Sequence, residues 1–161
     1  MKVREVVPAT DIAALLAGAD FVDAFTIDVA NGALDARGAA QAMTGHSPRW
    51  MDALMGLRNF LVAPFGLKTP RRSATVSRAT IGIFPVLSEH PERLVTGFND
   101  AHLDFRLVVD VAASGTGRQV TATTLVKTHN RLGRIYLAII LPFHRLIVPA
   151  MLRRVETRSS T

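Results

Sequence analysis

From Leu103 to Lys127 apolar and polar residues alternate, and at Asn130 the alternation gives way to an apolar run of helical period. A switch from period two to a period near 3.6 leaves few folds open, because strands must come first and a long helix must then lie against them. The alternating region begins at Ile81. The segments IGIFPVLSEH, RLVTGFN, HLDFRLVVDVAA and RQVTATTLVKTH are separated by the turn-forming clusters HPE, ND and SGTG, which is the spacing of an antiparallel meander. In the third segment Leu103, Phe105, Leu107, Val109 and Val111 share one face, and Asp104, Arg106 and Asp110 the other. In the fourth, Val120, Ala122, Thr124 and Val126 point inward, and Thr121, Thr123 and Lys127 outward. One side of the sheet is therefore expected to be covered and the other to face water.

The terminal run starts at Asn130, a residue type suited to capping, and repeats Leu132, Ile135, Ile139, Phe143, Leu146 or Ile147, and Ala150 at three- and four-residue intervals. Arg134, Arg145 and Arg153 fall near the opposite face. Pro142 and Pro149 each delete a helix hydrogen bond, so a kink at each, or two shorter helices, is expected. The stretch from Ile135 to Leu152 has about the length a bilayer requires. His144, Arg145 and the two prolines inside it argue instead for a helix buried in the protein, with a peripheral membrane contact as the lesser alternative.

Ahead of the meander the chain reads as follows. Residues 1–17 form an arm, extended and broken at Pro8, with a short helical turn capped by Thr10 or Asp11. DFVDAFTIDV is a half-buried strand with Phe21, Phe25, Ile27 and Val29 inward. NGALDARGAAQAMTG is an Ala-rich helix between an Asp35 cap and a Gly45 stop. SPRWMDALMGLRNFLVAPFGL starts with Ser47 as cap and Pro48 at the first helical position, and places Trp50, Leu54, Leu57 and Leu61 on one stripe. LKTPRRSATVSRAT is a basic loop. The order is α+β: a helix-grip layout, with an antiparallel sheet curved around a long C-terminal helix and two helices between the first strand and the meander. A single domain over residues 18–155 and a disordered tail over 156–161 are expected.

The 161 residues suffice for one domain. Their mean hydropathy of +0.24 is high, which calls for a large core, an apolar cavity or an interface. The net charge of +6 is carried mostly by arginine, since Lys2, Lys68 and Lys127 are the only lysines. These charges are scattered and not interleaved with aromatics, so no nucleic-acid partner is expected. Absence of cysteine excludes disulfides and thiolate metal sites. Glu5 and Pro8 interrupt the apolar core a signal peptide needs, and the expected location is the cytoplasm.

The segments WMDALMGLRNFLVAPFGL, GFNDAHLDFRLVV and THNRLGRIYLAIILPFHRLIVPAMLRR resemble the bacterial domain-of-unknown-function family 2867 over residues 18–155, with LGRIY and PFHRLIV the most specific parts. Element order resembles the START and Bet v 1-like (SRPBCC) helix-grip superfamily. The resemblance implies a fold and a style of ligand binding, and no catalytic residue. Family members that carry a short-chain-dehydrogenase-like half would show a Gly-rich nucleotide motif, and none occurs here.

Few residues suggest chemistry. Asp100, His102 and Asp104 alternate in NDAHLDF and would share one face of an extended chain, either as a solvated, cross-strand-paired set or within reach of one ion. There is no GxSxG motif and no spaced carboxylate pair. Tyr136 and His144, two turns apart on the terminal helix, are the natural polar tips in an aliphatic wall. The expected ligand-binding set is Trp50, Leu54, Arg58, Phe105, Leu107, Tyr136, Ile139, Phe143 and His144, with no catalytic residue, metal or cofactor. The expected function is binding of a hydrophobic or amphipathic small molecule between sheet and terminal helix. The alternatives are a cyclase, hydrolase or isomerase with Tyr136, His144 or His102 as proton carrier, and an interaction module acting as a homodimer or at a membrane surface.

Overall fold

The computed structural model describes residues 2–45, 56, 60, 63–65, 79–82 and 84–159. Among these, the chain runs through β1 (Arg4–Val6), α1 (Ile12–Leu15), β2 (Phe21–Val29), α2 (Ala36–Thr44), a 3-10 turn (Ala63–Phe65), β3 (Thr80–Ile81), β4 (Phe84–His90), β5 (Arg93–Asn99), β6 (Leu103–Ser114), β7 (Gly117–Thr128) and α3 (Arg131–Ser159). The strands make one antiparallel sheet in the order β1-β2-β7-β6-β5-β4-β3, so the meander from β4 to β7 is continuous and β2 returns to pair with its last strand. The turns fall where the sequence puts them. His90 pairs with Arg93 across Pro91 and Glu92, and Ser114 pairs with Gly117 across Gly115 and Thr116. Gly115 has φ 58°, a left-handed conformation that a tight hairpin needs and glycine adopts without penalty.

Local capping sets the short helices. The Asp11 carboxylate accepts from the Ala14 N–H at 3.1 Å, and that of Asp35 from the Gly38 N–H at 2.7 Å, each satisfying a donor the first turn leaves open. At the far end of α2, the Arg154 guanidinium reaches from α3 to donate to the carbonyls of Met43 and Gly45, a cation on the negative end of the helix dipole. Ion pairs lock edges: Arg37 of α2 forks onto Glu89 of β4, and Arg93 onto its register partner Asp110.

The main core lies on one face of the sheet, under α2 and α3. Phe25, Ile27, Val29, Leu94, Leu107, Val109, Val111, Val120 and Ala122 meet Ala36, Ala39, Ala40 and Met43 of α2, and Val148, Leu152 and Val155 of α3. The opposite face departs from the expectation that it would be wet. Val95, Val108 and Leu125 are buried there against Leu16, with Ile12, Leu15, Ala19 and Val22 packed around them. The segment expected as an N-terminal arm thus supplies an edge strand and, with Ala19 and Val22, a lid for a second, smaller cluster. Its apolar residues are too few and too irregularly spaced to announce a packing face by themselves.

α3 departs from expectation in its continuity, its phase and its burial. It is one helix from Arg131 to Ser159 with Pro142 and Pro149 inside it, so two shorter helices do not form, and its last turn includes residues 156–159. Pro142 is exposed, as is Ala138, whose carbonyl loses its bonding partner to the proline; water can reach that side of the helix. The expected apolar stripe is also out of phase. Ile135 and Leu146 are 43% and 62% exposed, whereas Gly133, Val148, Leu152 and Val155 are buried, a rotation of roughly 150° about the helix axis. The cause is that the helix is apolar nearly all round, so periodicity cannot phase it. It is long and apolar enough to cross a membrane, with mean hydropathy 1.9 over its apolar window, yet 11% of that window is buried. Most of its residues are therefore partly or fully exposed, and it is not the enclosed core helix expected.

Candidate functional site

Two contacts on α3 set its position over the sheet. At the start, the Asn130 side-chain oxygen accepts from the Gly133 N–H at 2.9 Å, the cap expected from the sequence. The same side chain's amide nitrogen donates to His102 Nδ1 at 3.0 Å. Here the helix comes so close to the β5–β6 loop that a Cβ on Gly133 would lie 2.1 Å from the His102 carbonyl oxygen, and only glycine fits. Three turns beyond Gly133, His144 Nε2 lies 3.0 Å from both carboxylate oxygens of Asp23 on β2. Since a carboxylate only accepts, Nε2 carries the proton and the carboxylate fixes the imidazole's orientation.

The surroundings are dry. The side chains of His144 and Asp23 are 13% and 9% exposed, and the Phe21 ring meets the imidazole edge-on at 5.8 Å between centroids. Register extends this polar spot across the sheet. Asp23 pairs with Thr124, Thr124 with Leu107, and Leu107 with Thr96, so all four project from the same face toward the helices. Thr96 Oγ1 donates weakly to the Leu107 carbonyl at 3.4 Å. Thr124 is 1% exposed, and its hydroxyl has no hydrogen-bond partner among the described residues. Next along this row is a cleft of about 10 Å³ lined by Ala40, Met43, Thr44, Ile81, Phe84, Leu94, Thr96, Leu107 and Val109, room for about one water.

α3 packs over β2 and β7, and α2 over β5 and β6. Toward the other end of β5 and β6, Phe98 and Phe105 stack as register partners at 5.5 Å, Phe84 joins Phe105 at 5.3 Å, and all three rings stay half-buried.

Of the residues expected to bind a ligand, Phe105 and Leu107 lie on the inner face, one in the aromatic trio and the other fully in the core. Tyr136, Ile139 and Phe143 are half-buried on α3, and His144 is joined to the sheet through Asp23. Trp50, Leu54 and Arg58 lie outside the described residues. The Asp100, His102 and Asp104 set is not brought together. Asp100 turns onto the Ala101 N–H at 2.5 Å, His102 serves the helix cap, and Asp104 pairs with His129 at 3.0 Å. Among the described residues no cluster of three or more His, Asp or Glu could hold a metal ion. Asp23 and Thr124 are the additions. Thr124 is inward by the sequence pattern, and Asp23 has a plain signal: it shares the parity of Phe21, Phe25 and Ile27, a carboxylate in an inward position.

An open antiparallel sheet with a long C-terminal helix laid across one face, and a polar pair joining the two, defines a helix-grip-like α+β protein. The model of the family described as protein of unknown function DUF2867 matches residues 15–151, and the chain belongs to that family. Among solved structures the chain is similar to CalU16 from Micromonospora echinospora, with 15% identity over 86% of this chain and 83% of that one, at a TM-score of 0.34. No curated protein matches it.

Proposed function

We propose that this protein binds a hydrophobic or amphipathic small molecule between the inner face of its sheet and the terminal helix. The observation that carries the reading is the unfinished burial of that face. Phe84, Phe98 and Phe105, on the inner face of the sheet, are large apolar side chains left half-buried, with Phe105 at the margin of the main core. Such surface contributes about 25 cal/mol for each Å² removed from water, so an apolar guest gains by covering it. The cleft of about 10 Å³ holds no such guest as it stands. Binding therefore requires α3 or the aromatic side chains to move aside, and the ligand competes with their own packing.

Native mass spectrometry of the protein purified from its own host, followed by solvent extraction, is the direct test. An extractable apolar molecule bound one to one is expected. Apo protein throughout, with no stabilisation by any member of a small apolar library, would rule the reading out.

A second reading is favoured by one observation, the Asp23–His144 pair. An imidazole oriented by a carboxylate is suited to taking up and returning a proton, as a cyclase, hydrolase or isomerase on this scaffold would need. His144→Gln would then abolish turnover of the extracted molecule while leaving its binding within a few-fold; unchanged turnover would remove His144 from that role.

A further inference from the structure

We propose that Asp23 and Thr124 form a subsite for one hydroxyl group of an otherwise apolar ligand, an inference that rests on the binding reading above. The observation is a mismatch in hydrogen bonding. Thr124 is 1% exposed and its hydroxyl has no partner among the described residues, although buried side-chain oxygens are almost always paired. It stands directly opposite Asp23 in the β2–β7 register, on the face that looks toward α3. Side chains so paired have Cβ atoms about 4.5–5.5 Å apart. The Asp23 carboxylate has roughly four lone-pair directions, and His144 Nε2 supplies one donor to it. The pair therefore offers an acceptor with spare capacity beside a hydroxyl that lacks a bond.

These two groups select among ligand chemistries. A ligand hydroxyl donates to Asp23 and accepts from the Thr124 O–H, completing both. A ligand carboxylate or phosphate would meet the Asp23 carboxylate with like charge in a dry site, where repulsion is screened least. A carbonyl has no proton for Asp23. An ammonium group could donate to Asp23 but has no lone pair to accept from the Thr124 O–H. The favoured class is an apolar alcohol or phenol.

The test uses the full-length chain and three probes of one shape: naphthalene, 1-naphthol and 1-naphthoate, each titrated by fluorescence. Wild type is expected to bind 1-naphthol about tenfold tighter than naphthalene, the worth of about one net hydrogen bond, and 1-naphthoate no better than naphthalene. Thr124→Val, which keeps the shape and removes the hydroxyl, is expected to narrow the naphthol-to-naphthalene ratio to about twofold. Thr124→Ser keeps the hydroxyl and is expected to keep the ratio, which holds the test open if the valine variant folds poorly. Equal binding of all three probes by wild type would overturn the subsite and leave the binding reading standing. So would tightest binding of 1-naphthoate, or a naphthol preference that survives in Thr124→Val, the result expected if Thr124 merely holds a structural water. Binding of none of the three would overturn the binding reading, and the subsite with it.

Discussion

Asp23 and His144 show how one residue type at one parity ties two remote segments together. The β2 pattern is unambiguous in its apolar residues, and any side chain at position 23 must follow Phe21 and Phe25 to the inner face. A carboxylate there needs a partner inside, and His144 arrives from a helix 121 residues away in sequence. Truncating either member leaves the other as a buried polar group without a bond, which costs about 1–3 kcal/mol. Asp23→Ala and His144→Ala are each expected to lose about that much in urea denaturation. Because the two losses share one interaction, the double variant is expected to lose less than their sum. Strict additivity would mean that the two side chains do not bond in solution.

Helix phase belongs to the element scale. α3 could turn almost any face to the sheet on composition alone, and the stripe through Ile135 and Leu146 reads as well in the sequence as the one through Val148, Leu152 and Val155. Contacts at its two anchor points choose between them, the Gly133 approach to the His102 carbonyl and the His144 bond to Asp23. The choice is measurable. Leu152→Ala opens a cavity at a site with no exposure and is expected to cost about 2–5 kcal/mol, whereas Leu146→Ala, at 62% exposed, is expected to stay within about 0.5 kcal/mol. Reversed magnitudes would restore the stripe expected from periodicity.

At the scale of the whole molecule, acid is the condition that pulls on several elements at once. The Asp20 carboxylate, at the start of β2, accepts from the Thr128 hydroxyl at 2.7 Å and the Thr128 N–H at 2.6 Å, and these bonds hold it below the ordinary aspartate value. The Arg37 fork holds the Glu89 carboxyl low in the same way. Each group is protonated more readily unfolded than folded, with unfolded values of about 3.9 and 4.3. Their contributions are thus complete above those values and are lost as pH falls through the lower folded ones. Urea midpoints are expected to be flat for these groups between pH 7 and pH 5 and to fall below about pH 4. Asp20→Asn is expected to reduce that acid slope, and an unchanged slope would show that the Thr128 bonds do not persist.

Strands β2 and β4 to β7, their turns, the helix caps and the meander followed by a terminal helix were legible in the residues themselves, because each rests on local rules: alternation for the strands, Asp11, Asp35 and Asn130 at helix starts, and Gly115 in a two-residue turn. Family membership was legible too, carried by the terminal segment. Only tertiary structure decided which side of the terminal helix meets the sheet, that the first residues close the opposite face, and that Asp100, His102 and Asp104 go to separate partners. It alone joined Asp23 to His144 and set the unpaired Thr124 beside them. The physical reason is range. Caps and turns act over three or four residues, while the phase of a helix that is apolar all round and the pairing of a buried carboxylate depend on contacts made across a hundred residues or more of chain.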